Sequence, residues 1–307
     1  MGTKGVSRRL PDDGRRRPCD APLVHTLTTT ALVFGSLMAA AGTASASVTA
    51  HPALTNPAIT HPGVTHVRPG GAVHAFTPGG VMQRPTGAQA KAHGVKNESE
   101  STNWSGYAAT GSDGAFNSVS STWTEPAASC SGGGDQYAAF WVGLDGYNSG
   151  SVEQTGTDSD CSGSSPDYYG WYEMYPADPV YFSNPVAPGD QISASVTFSG
   201  TETYTLVLTD STQGWTQTIT QNESGLSRSS AEVITEAPSS ESGVLPLADF
   251  GTVNYGSSSD NGASMAGQSP TSIIMVDSSG QQEDSTSSMS SSGGFSNTWL
   301  ASNASRH

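Results

Sequence analysis

Between residues 116 and 276 the chain repeats one pattern, a short run rich in Val, Ile, Thr and aromatic residues closed by Gly, Ser, Asp or Pro. The runs fall at 116–124, 136–144, 151–156, 168–175, 191–198, 203–209, 215–220, 231–235 and 272–276. In Gln191–Phe198 the apolar Ile192, Ala194, Val196 and Phe198 alternate strictly with polar residues. Side chains on a strand point to opposite faces with period two, so this run predicts a half-buried strand. No comparable stretch carries the 3.6-residue period of an amphipathic helix. Many short strands at this spacing predict an all-β domain, a large antiparallel β-sandwich of two sheets.

Charge divides the chain sharply. Of its 12 Lys and Arg, ten precede residue 97, whereas 24 of its 27 Asp and Glu follow residue 96. Residues 97–307 contain no lysine, only Arg228 and Arg306 as bases, and only the terminal His307 as histidine. A surface this negative repels phosphate backbones and anionic lipid, so neither nucleic acid nor membrane is an expected partner. In acid the carboxylates take up protons and their repulsion fades, and few bases are present to build up positive charge. The composition suits acidic surroundings.

Three segments are expected. Residues 1–46 have a basic stretch at Arg15, Arg16 and Arg17, an apolar run over 23–41 and small residues at Ala44-Ser45-Ala46, the layout of a signal peptide. Residues 47–97 are rich in Pro, His, Gly and Ala and have no acid before Glu98. That composition buries little core, and it reads as a basic, disordered pro-segment lying on the acidic domain and cleaved near residues 96–101. Residues 98–307 form the functional domain. The product is expected to be secreted, extracellular and monomeric. Cys19 falls in the leader, leaving Cys130 and Cys161, an even pair that reads as one disulfide in an oxidising exported setting. Closing that loop adds on the order of 3 kcal/mol.

The residue inventory narrows the chemistry. Ser-His-Asp and Cys-His mechanisms need an imidazole base, Ser-Lys pairs need a lysine, and zinc hydrolases use histidine ligands. Residues 98–306 supply none of these, and no Asp-Thr-Gly or Asp-Ser-Gly triplet occurs. If the domain is an enzyme, its acid–base work falls to carboxylates, helped by amides or hydroxyls.

Five segments stand out: Asn103-Trp104-Ser105-Gly106-Tyr107; Trp141-Val142-Gly143-Leu144-Asp145-Gly146; Gln154-Thr155-Gly156; Trp171-Tyr172-Glu173-Met174-Tyr175-Pro176; and Ala231-Glu232-Val233-Ile234-Thr235-Glu236. In this order they resemble the glutamic peptidases, the eqolisin family, whose pattern is N-W-x-G, W-V-G-[IL]-D-G, Q-T-G, W-Y-E-x-Y-P and A-E-x-I-x-E. The resemblance spans about residues 101–300. It implies a concanavalin-like or lectin-like sandwich with a concave substrate cleft, and endopeptidase activity in acid on protein or peptide substrates without metal or cofactor. It implies Glu236 and Gln154 as the catalytic pair, with Trp104 and Glu173 supporting substrate binding. After Glu236 the chain has Ala237-Pro238 where some members have an acid and an aromatic.

On physical grounds, a glutamate with its ordinary pKa of about 4.3 is partly ionised in mild acid and can take a proton from water. A glutamine amide offers N–H groups to a developing oxyanion at any pH. Glu232, Ile234 and Glu236 share a strand face, so Glu232 is the competitor for the role of Glu236. Trp141 and Asp145 read as packing and turn residues. The rival class is a carbohydrate-active or carbohydrate-binding sandwich, with Glu173 and Glu236 as a glycosidase pair or as lectin contacts.

Overall fold

The computed structural model describes Gly2 and residues 64–65, 76–77, 80–84, 97–131, 134–240 and 243–302. The expected leader, Gly2 apart, and most of the expected pro-segment lie outside the described residues. Among the described residues, every strand falls within Pro52–His307.

The main strands, in chain order, are β1 Glu98–Ser101, β2 Trp104–Thr110, β3 Ser118–Thr124, β4 Ala139–Leu144, β5 Val152–Ser162, β6 Ser165–Tyr175, β7 Val180–Phe182 and β8 Gln191–Phe198. They continue with β9 Thr203–Asp210, β10 Trp215–Asn222, β11 Ser230–Glu236, β12 Thr252–Asp260, β13 Thr271–Val276, β14 Gln282–Thr286 and β15 Phe295–Trp299. A front sheet runs β7-β6-β5-β4-β11-β2-β13. A back sheet runs β10-β9-β8-β3-β12-β15-β14. β14 also pairs with β13, so the ladder turns the corner between the two sheets. β1 runs parallel to β13. The backbone of 64–65 extends the front sheet past β7, and that of 76–77 pairs with Ser239–Ser240. Among the described residues helix is confined to one 3₁₀ turn, Met265–Gln268.

The sheets pack through the alternating faces that the sequence displays. Ile192, Ala194 and Val196 of β8 and Tyr204, Leu206 and Leu208 of β9 point inward against Phe140, Val142 and Leu144 of β4. Phe140 meets Phe250 edge to face at 5.4 Å, the favoured geometry for an aromatic pair. On the back sheet the alternate positions Ser193, Ser195 and Thr197 reach the surface, as a one-sided sheet requires. The front sheet differs, because β4, β5 and β11 are buried on both faces. Its outer face carries a second apolar cluster with Trp104, Trp141, Trp171, Tyr169 and Ile234. Cys130 and Cys161 are joined in a disulfide.

The interior also contains carboxyls. Glu125 lies between the sheets and accepts from the Trp123 indole at 3.3 Å, the Ser159 hydroxyl at 2.7 Å and the Thr157 hydroxyl. Burial pushes its carboxyl up to about 8, against the pull of the hydroxyl and indole bonds. Burial likewise raises Glu153 and Asp284.

A folded-state pKa above the unfolded one means that folding favours the protonated form. The stabilisation is full below the unfolded value of 4.5 and is lost as pH climbs towards about 8. The melting temperature is therefore expected to fall steadily between those two values. Glu125→Gln, which keeps the neutral shape, should lessen the fall in calorimetry; an unchanged slope would remove Glu125 from the cause.

Candidate active site

The outer face of the front sheet collects the residues that the sequence singled out. Glu236 of β11 pairs with Trp104 on one side and Ala139 on the other. Gln154 of β5 pairs with Gly143 and with Glu173 of β6. Strand periodicity sets Ala139, Trp141 and Gly143 on the same face as Glu232, Ile234 and Glu236. The Trp141 indole links the two positions. Its Nε1–H donates to Glu236 Oε2 at 2.9 Å. Its other edge lies beside Gly143, where an added Cβ would stand 2.9 Å from Trp141 Cζ3 and 3.2 Å from Gln154 Cβ. Glu236 and Gln154 therefore sit at the two ends of one indole. Gly156 of the Gln-Thr-Gly segment makes room for the same side chain, since a Cβ there would lie 2.6 Å from Trp141 Cβ and 2.1 Å from the Phe140 carbonyl oxygen.

Each member of the group is held by a specific bond. Asn103 Nδ2 donates to Glu236 Oε1 at 3.2 Å. Gln154 Nε2 donates to Glu173 Oε2 at 2.7 Å, which leaves the second N–H of that amide available. Gln154 Oε1 and Glu173 Oε1 have no hydrogen-bond partner among the described residues. Trp104 meets Trp141 edge to face at 4.9 Å and is fully buried. Glu232 shares the face but sits four residues along the strand from Glu236, in the row of Gly143 and Ala108. Among the described residues no three His, Cys, Asp or Glu side chains are grouped to hold a metal ion.

The electrostatics differ from the simple expectation of a glutamate near its ordinary pKa. Burial lifts the Glu236 carboxyl well above the usual range, and the nearby Glu173 charge lifts it further. The Trp141 and Asn103 bonds pull it partly back. Glu173 is raised for the same leading reason, burial, against the pull of the Gln154 bond. Two neighbouring carboxyls in a water-poor site do not ionise together easily, so the pair holds a proton into less acid conditions than either would alone.

Sequence reasoning missed two residues that touch Glu236. Asn103 precedes Trp104 in the first segment, and Trp141, read as packing, both packs and donates. The signal was strand parity, because Trp141 pairs with Ile234, two residues from Glu236 on the same face. Asp145 is a turn residue as expected, accepting from the backbone N–H groups of Arg228 and Ser229. A further acidic cluster went unnoticed: Tyr169 donates towards Asp158 at 2.9 Å and Asp160 at 2.6 Å, and the Trp171 indole donates to Asp158.

A family model described as the Peptidase A4 family matches residues 102–299, well over half of the chain. The chain belongs to this family of glutamic peptidases, the eqolisins. It is a glutamic endopeptidase built as a β-sandwich. It is 29% identical to Aspergillopepsin-2 of Aspergillus niger over 216 residues, covering 62% of this chain and 75% of that one. The peptidase superposes on scytalido-glutamic peptidase, solved with a transition-state analog inhibitor, with a TM-score of 0.56 and 29% identity, covering 65% of this chain and 98% of the other. It also superposes on SCP-B, an eqolisin solved with the tripeptide Ala-Ile-His, with a TM-score of 0.52 and 26% identity over 65% of this chain and 98% of the other.

Removing the indole donor should raise the Glu236 pKa further, since a hydrogen bond to the charged form favours that form. Trp141→Phe is expected to move the Glu236 carboxyl titration upward. Carbon-13 NMR of labelled glutamate reads it directly; no movement would mean that the indole bond does not control this carboxyl.

Proposed function

We propose that this peptidase cuts proteins in acid surroundings with Glu236 as general base and then general acid, and Gln154 as oxyanion donor. The observation that carries the assignment is their position at the two ends of the Trp141 indole, each held by its own partner. As carboxylate, Glu236 takes a proton from a water molecule while the water oxygen bonds to the scissile carbonyl carbon. The carbonyl oxygen gains the negative charge and is met by the free N–H of Gln154, whose other N–H is held by Glu173. When the intermediate collapses, the C–N bond breaks and Glu236 returns the proton to the leaving amine. The products are a carboxylic acid and an amine. Glu173 orients the amide and holds the second proton of the carboxyl pair. Trp104 backs Trp141 and walls the cleft.

That two solved relatives hold a transition-state analog and a tripeptide supports a peptide as the occupant of this face. The charge division supports export as a precursor, with a leader at 1–46, a basic pro-segment at 47–97 and an extracellular, monomeric acidic domain at 98–307. The contacts of residues 80–84 with this domain favour the pro-segment as its partner before maturation.

Glu236→Gln removes the base and is expected to lower kcat on denatured protein by about 10²–10⁴-fold. Gln154→Glu replaces an N–H donor with a carboxyl and should cost about 10²–10³-fold. Both are measured at about pH 4, close to the ordinary carboxyl range, where buried carboxyls favour the fold. Undiminished proteolysis by Glu236→Gln, or turnover of polysaccharide in place of protein, would overturn the assignment.

A further inference from the structure

Residues 80–84 cross the face that carries Glu236, and their contacts read like those of a bound peptide. A Cβ added at Gly80 would lie 3.8 Å from Glu236 Oε1, so the chain passes beside the carboxyl. The next residues are held through their backbone from both sides. Met82 N–H donates to the Gly146 carbonyl at 3.1 Å. Val81 O accepts from Asn103 Nδ2 at 3.3 Å, the amide nitrogen that also bonds Glu236. Gln83 N–H donates to Asn103 Oδ1 at 2.8 Å. Gln83 O accepts from Thr102 N–H and from the Ser101 hydroxyl, each at 2.8 Å. These bonds ask nothing of the side chains of the bound segment, which is how a groove takes many peptides in one register.

Val81 packs part-buried against the apolar cluster of the front face, and the closest side-chain contacts are those of Met82 and Arg84. Met82 is 7% exposed and belongs to the apolar cluster of Trp104, Trp141 and Val152. Two residues on, the Arg84 guanidinium lies over the Tyr147 ring at 4.7 Å and donates to Tyr147 O and Asn148 Oδ1, both at 3.2 Å. Gln83 between them is exposed and meets only Ser239 through its side chain.

We infer that the cleft selects substrates at two subsites on one side of the cut: an apolar pocket filled here by Met82, and a cation shelf formed by Tyr147 and Asn148, filled here by Arg84. This rests on the assignment of Glu236 as the reacting carboxyl. The bond cut then lies beside the position of Gly80, N-terminal to the apolar residue. The preferred substrate is an extended peptide with Met, Leu or Ile two to three residues after the cut and Arg or Lys two residues beyond that. The acidic domain attracts such a peptide, and the shelf gives the attraction a register.

The test is digestion of a mixed peptide library by the full-length chain after acid treatment, with cut sites mapped by mass spectrometry. Enrichment of Met, Leu or Ile two to three residues after the cut, and of Arg or Lys two residues beyond that, is expected. In matched peptides, Asp in place of the apolar residue should lower kcat/KM about ten-fold, since burying a charge forfeits the apolar gain. Glu in place of the cation should lower it about three-fold. Tyr147→Ala should abolish the preference for the cation. Cleavage with no enrichment at either position overturns the subsites alone. Failure of the wild type to cleave any peptide overturns them together with the role of Glu236.

Discussion

The hydrogen bond from the Trp141 indole to Glu236 is the interaction around which the front sheet is arranged. The indole must lie flat across strands β4 and β5, and two glycines clear its path. A Cβ at Gly143 or Gly156 would press on Trp141 at 2.9 Å or 2.6 Å. Gly143 in the motif at 141–146 and Gly156 in the motif at 154–156 thus have one structural cause. The donor lowers the cost of ionising a carboxyl that burial would otherwise keep neutral, and the length of the ring sets where Gln154 stands. Asn103 adds a second donor to Glu236 and also bonds the backbone of Val81, so the same amide serves the carboxyl and the chain crossing it.

Acidity enters the molecule in three layers. Residues 97–307 carry 24 acids against two bases, and those of the acids that reach the surface repel one another near neutrality. Inside the sandwich, Glu125, Glu153 and Asp284 are raised chiefly by burial. On the front face, Glu173 and Glu236 are raised for the same reason. Protonation relieves all three, so a low working pH stabilises the fold.

Much of the sandwich was legible because its back sheet is wet on one side. Gln191–Phe198 was bounded to the residue, and strands at 203–210 and 215–222 to within two residues, since alternation survives wherever one face meets water. The front sheet hides its pattern. β5 runs on to Ser162, although Thr157, Asp158, Ser159 and Asp160 look like a loop in sequence. Both of its faces are buried and polar, with Thr157 and Ser159 bonded to Glu125 and Asp158 to Trp171. β2 and β12 escaped notice because glycine, serine and alanine fill positions where neighbouring strands approach closely. At the site, parity correctly put Glu232 and Glu236 on one face but could not reveal which neighbour donates to which. The bonds from Trp141 and Asn103 depend on pairings between strands far apart in the chain, and no local pattern encodes them.

The central claim is that one proton is shared by two carboxyls, with Glu236 ionised to activate water and Glu173 protonated beside Gln154. The pH dependence of kcat/KM on a small peptide, taken from initial rates while the protein is folded, tests it most directly. For the wild type the profile should be a bell, its acid limb marking ionisation of the pair and its basic limb the loss of the second proton. In Glu173→Gln the basic limb should disappear while the acid limb remains, because a neutral amide permanently replaces the protonated acid. A bell unchanged by that substitution would contradict the shared proton and with it the division of labour between the two glutamates.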